Sequence, residues 1–137
     1  MGYAINSCTF SGRVQRTPRY GVSPNGTKWV RFTIRVDDSQ YNSTTRQWED
    51  TLQFLDCVAF NDDVDYLKKN GLTVDQKIMG TFTLRMEPRI LTDSGTNESR
   101  IITVPIFIVK SGEIFLGDVP KNYEKWRSSI WDTQANM

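Results

Sequence analysis

One stretch of this 137-residue chain carries helix signals. It falls between the third and fourth of five stretches whose apolar and polar residues alternate as in strands. The plainest of the five is Thr27–Val36, T-K-W-V-R-F-T-I-R-V. Val30, Phe32, Ile34 and Val36 point one way, and Trp29, Arg31, Thr33 and Arg35 the other. Ser7–Val14 reads as the first strand, Leu52–Phe60 as the third, Lys77–Met86 as the fourth and Arg100–Val109 as the fifth, apolar on both faces and so expected to be buried or part of an interface. In the helical stretch Asn61 is placed as an N-cap, Asp62 and Asp63 suit the first turn, and Val64 and Leu67 lie three apart. Lys68 and Lys69 suit the end, and Asn70-Gly71 stops it.

Arg16–Gly26 reads as a loop, with Pro18, Pro24 and an Asn25-Gly26 turn. Asp37–Asp50 reads as a polar loop whose Tyr41 and Trp48 either pin it to the body or await a ligand. Pro88–Ser99 reads as a hairpin arm turning at Asp93-Ser94-Gly95, and Pro105 marks an edge or a bulge. Five strands with one helix between the third and fourth is the element order of an OB-fold. The expected fold class is therefore all-β with one short helix, a five-stranded OB-fold Greek-key barrel with long β-hairpin loops. A generic β-sandwich is the alternative. Residues 1–116 are expected to form this domain. Residues 117–137 form a short tail, in which Trp126, Ile130 and Trp131 could make one apolar stripe that contacts a partner or the chain itself.

The net charge of +1 hides an asymmetry. Arg13, Arg16, Arg19, Lys28, Arg31 and Arg35 all precede the first acidic residue, Asp37, leaving 11 basic and 16 acidic residues to the rest. A near-neutral total is therefore compatible with an anionic partner, if the basic groups gather on one face. With no histidine in the chain, Cys-His and Ser-His-Asp chemistry is excluded, and no phosphate-cradling glycine loop is present. Neither a catalytic residue nor a cofactor or metal is expected. Asp37-Asp38 better ends a strand, and Asp62-Asp63-Asp65 better starts a helix, than holds Mg²⁺ for a nuclease. Met1–Asn6 shows no secretory signal and no stretch is apolar enough to cross a membrane, so Cys8 and Cys57 are expected as reduced thiols in a cytoplasmic protein.

Basic residues interleaved with aromatic ones are the signal left. Rings stack on bases of any identity, and guanidinium groups hold phosphates. The candidate stacking rings are Trp29, Tyr41, Trp48, Phe54 and Phe60. The candidate phosphate contacts are Arg13, Arg31, Arg35, Lys77, Arg85 and Arg89. An aromatic on a strand is more often core than platform, and Phe60 is the most open to that objection.

From about Asn6 to Leu116 the chain resembles bacterial and phage-type single-stranded DNA-binding proteins. Asn6-x5-Gly12-Arg13-Val14 resembles the family's first strand, and Pro24-Asn25-Gly26-Thr27 running into Phe32-Thr33-Ile34 its second. Phe54-Leu55-Asp56-Cys57-Val58-Ala59-Phe60 resembles the third, Tyr66-Leu67-Lys68-Lys69 the helix end, and Ile78-x-Gly80-x-Phe82 the start of the fourth. The resemblance implies base stacking at Phe54 and Phe60, with Tyr41 near another such position. It also implies a homo-oligomer, tetramer or dimer. Three features depart from the family's pattern. Asp56 stands where a basic residue is common, and Glu87-Pro88 stands near a stacking position. The tail ends Gln-Ala-Asn-Met rather than in an acidic run with a terminal Pro-Phe. A short altered tail suits a phage or mobile-element version, acting in the host cytoplasm.

The expected function is sequence-tolerant single-stranded DNA binding and protection in replication, recombination or repair. The expected partners are the DNA strand, further copies of the chain and replication proteins, with no membrane. The competing expectations are an OB-fold protein-interaction module and a replication-restart factor.

Overall fold

The computed structural model describes residues 4–117. In chain order they form β1 (Cys8–Val14), β2 (Arg19–Val22), β3 (Lys28–Asn42), β4 (Gln47–Phe60), α1 (Asp62–Lys69), β5 (Lys77–Thr92) and β6 (Ser99–Leu116). The sheet runs β1-β5-β6-β4-β3-β2, and β1 also pairs with β3. That last pairing closes five strands on themselves and leaves β2 as a short flap along the edge of β3. The closing contact is tight. A Cβ on Gly12 would lie 2.2 Å from the Arg35 carbonyl oxygen, so only glycine lets β1 come so close to β3.

The alternation in the sequence becomes an inside and an outside. Val30, Phe32, Ile34, Cys57, Ala59, Ile78 and Phe82 point inward with Val14, Val109 and Ile114. α1 closes one end with Val64 and Leu67. At the centre the Phe10 and Phe82 rings stack at 4.4 Å, 5° from parallel, with Phe107 edge-on to both.

The two hairpins are longer than the alternation alone indicates. Asp37–Asp50, expected as a loop, is a continuation of the β3–β4 ladder, paired residue for residue from Asp37–Leu52 to Asn42–Gln47. Both faces of this arm meet solvent, so it has no apolar period to read. Cross-strand side chains hold it instead: Ser39 on Asp50, Asn42 on Glu49, and the tilted Tyr41–Trp48 ring pair at 5.6 Å. The Asn42 carboxamide accepts the Thr44 and Thr45 amides and shapes the tip. The second arm joins β5 to β6 through the expected turn, where the Asp93 amide donates to the Glu98 carbonyl.

Three local expectations need correction. Arg16–Gly26 contains β2, because Arg19–Val22 finds the free edge of β3. Asn61 precedes the helix but makes no side-chain cap, and its own amide donates to the Lys28 carbonyl. The fifth strand is only partly buried: Val109 faces the core, Ile106 is buried on the opposite face, and Ile101 stands in solvent. Pro105 pairs with Met86 of β5, outside the two-residue stretch where β6 meets β4, so it occupies a free edge. The tail stripe at Trp126, Ile130 and Trp131 lies outside the described residues.

Candidate nucleic-acid interface

Antiparallel partners share a face, so the β3–β4 register decides which side chains stand together. Reading outward from the helix end, the outer face pairs Trp29 with Phe60, Arg31 with Val58, Thr33 with Asp56, Arg35 with Phe54, and Tyr41 with Trp48. All five candidate rings therefore lie on one surface of one hairpin. Trp48 is 73% exposed, Tyr41 53%, Phe54 51% and Phe60 39%. A core aromatic would show none of these values. Trp29 is half-buried, and its ring lies across Gly21, where a Cβ would sit 2.2 Å from Cζ2. It braces β2 more than it offers a free face.

Beside the rings runs a groove of about 220 Å³. Arg16, Arg19, Arg31 and Arg89 line it, with Thr33 and Asp56 in its wall. Arg19 stands directly opposite Arg31 across the β2–β3 ladder. Arg89 arrives from the β5–β6 arm. Glu87 on that arm accepts from Arg31 Nη2 at 3.2 Å and lies 3.7 Å from Arg89 Nη2. Asp56 accepts the Thr33 hydroxyl at 3.0 Å. Four guanidinium groups gathered this way make a strongly basic concavity beside a row of rings.

The remaining candidates are placed differently. Arg35 is only 7% exposed, with Nη1 on the Gln15 carboxamide at 3.4 Å and Nε 3.4 Å from the Asp37 carboxylate. The alternation alone cannot foresee this, because the Gln15 side chain, just past the end of β1, comes to lie against Arg35. Arg13 stands opposite Arg35 and donates to the Asp75 carbonyl at 3.0 Å. Lys77 stands opposite Arg13, exposed at the start of β5. These three continue the Phe54 row across the sheet. Arg85 is exposed on β5 and does not line the groove. Arg16 and Arg19 were absent from the candidates because they sit in a stretch that reads as loop. The signal that could have found them is the run of basic residues before Asp37.

Both cysteines are free thiols. Cys57 is buried, and burial, with the Asp56 charge second, pushes its thiol well above the usual range. Cys8 is half-buried and also free. Among the described residues no group of three His, Cys, Asp or Glu is placed to hold a metal ion, and no helix is long and apolar enough to cross a membrane.

Residues 5–86 match the profile of the Single-strand binding protein family. The chain belongs to this family. Among solved structures, the fold matches a Plasmodium falciparum SSB in complex with ssDNA at a TM-score of 0.70 and 13% identity, covering 86% of this chain and 99% of that one. It also matches the small single-stranded DNA-binding protein of Streptomyces coelicolor at a TM-score of 0.56 and 18% identity, over 81% and 93% of the two chains. At such identities the likeness is one of fold, and it is the OB-fold that the element order indicated. Compared sequence to sequence with curated proteins, the chain has no match. The family match ends at Met86, just short of Glu87 and Arg89. The acid and the arginine that the second arm brings to the groove therefore lie beyond it.

Proposed function

We propose that this protein binds single-stranded DNA without regard to sequence, by stacking bases on the exposed rings and holding phosphates with the arginines beside them. The observation that carries the reading is the β3–β4 register, which aligns Tyr41, Trp48, Phe54 and Phe60 on one open face next to Arg31. Such rings take any base, and only an unpaired strand exposes base faces to them. Membership of the single-strand binding family supports the same reading. So does the Plasmodium falciparum structure, whose fold is shared and whose complex holds ssDNA.

On this reading the protein has no catalytic residue and covers strands exposed in replication, recombination or repair. The apolar residues left open on the second arm, Ile90 opposite Ile101 among them, support assembly of copies into a dimer or tetramer. Contact with replication proteins in a cytoplasmic setting completes the proposal.

A salt titration tests the phosphate half. Log affinity for a dT oligonucleotide falls with log salt concentration by about 0.7 for each phosphate neutralised. Arg19→Ala is expected to weaken binding at low salt and to flatten that slope by about 0.7, the share of one contact. An unchanged slope removes Arg19 from the interface.

A further inference from the structure

Glu87 holds two of the arginines that line the groove, and the proposed function gives it no part. Its two carboxylate oxygens reach two guanidinium groups on different strands, Arg31 on β3 and Arg89 on β5. Oε2 is shut off from water and accepts no hydrogen bond. One carboxylate thus spans the two arginines as the paired oxygens of a phosphate would.

The rest of the groove is short of negative charge. Arg19 faces Arg31 directly, an arrangement that repels in the absence of an anion. Arg16 adds a further positive group. Asp56 is the acid in the lining, and it already accepts the Thr33 hydroxyl. The Glu87 side chain keeps a third of its surface exposed, so it has a path outward into solvent.

We infer that the groove is a seat for a phosphate group and that Glu87 is its built-in competitor. In the empty protein the carboxylate occupies Arg31 and Arg89, and an arriving phosphate displaces it. The carboxylate holds the guanidinium groups in place, and the same contact makes the seat weaker than four arginines alone would be. Easy release is useful to a protein that must leave a strand as readily as it covers it. The inference rests on the proposed DNA reading only for the source of the phosphate: a strand's phosphodiester, or a free phosphate or pyrophosphate.

The sign of one substitution decides the matter. Glu87→Gln keeps the shape and can still accept from Arg31 through its amide oxygen, but it removes the competing charge. If Glu87 competes, the variant binds anions more tightly. If Glu87 only positions the arginines, the variant binds equally or less well. The full chain and its E87Q variant are titrated with inorganic pyrophosphate at low salt, followed through the arginine Nε–H resonances, and separately with a dT oligonucleotide. The expected result is a gain of about fivefold in pyrophosphate affinity for E87Q, the scale of one exposed ion pair, lost again at high salt or when Arg19→Ala is added. Equal or weaker pyrophosphate binding by E87Q, or none by either protein, overturns the inference. If that happens while the dT oligonucleotide still binds, the proposed function stands alone. If pyrophosphate follows the expected order and the oligonucleotide does not bind, the seat stands with free phosphate as its ligand and the DNA reading falls.

Discussion

Truncating Phe82 to alanine is expected to cost about 3–5 kcal/mol of folding stability. The ring is fully buried, stacked on Phe10 and met edge-on by Phe107. It also stands on β5 where the ladder with β6 changes register, between Gly80 and Phe82. Ile78, Val109 and Ile114 are buried in the same cluster, so truncation leaves a cavity among packed side chains. Urea unfolding checks this. The midpoint should fall sharply with an unchanged dependence on denaturant. The matching change Phe54→Ala should move stability by no more than about 0.5 kcal/mol, because that ring lies half in solvent. Similar losses for the two variants would contradict the assignment of inside and outside.

The second large effect is on binding. Phe54→Ala and Trp48→Ala are each expected to weaken binding of a dT oligonucleotide by about 1–3 kcal/mol, the worth of one stacked base. The two rings are six residues apart on β4, about 20 Å along an extended strand. They therefore serve different bases, and their losses should add. Tyr41 and Trp48 touch and should not add, because removing one ring leaves the other without its support. Fluorescence anisotropy on the single and double variants measures all of these terms. If folded variants at Phe54 and Trp48 both bind as the parent does, the rings are not the stacking platform.

What the residues disclosed in advance follows from how burial writes itself into sequence. Thr27–Val36 alternates because one of its faces packs on the core, and the same constraint placed α1 through Val64 and Leu67. Where neither face is buried, no such pattern exists. Asp37–Asp50 is two strands and a turn, yet its residues are chosen by solvent and by cross-strand pairs such as Tyr41–Trp48, which only the register reveals. The exposed rings were singled out for a different reason. Phe54 and Phe60 stood out through aromatic residues interleaved with basic ones and through the resemblance to single-stranded DNA-binding proteins, and the structure places both at the surface. Arg35 shows the limit of this logic. It alternates correctly to the outer face, but Gln15 on a neighbouring segment comes to lie against it, and no local pattern encodes that approach. Arg16 and Arg19 show the converse: a stretch with proline and glycine signals hides a strand when the edge of β3 is there to receive it.

The most direct test of the central claim is a titration of the purified protein with a dT oligonucleotide and with a duplex of matched length, each at low and at high salt. The account predicts tight binding of the single strand, weakening as salt rises, and poor binding of the duplex, whose stacked bases cannot reach Trp48 or Phe54. Equal affinity for the duplex, or no affinity for either, would contradict it.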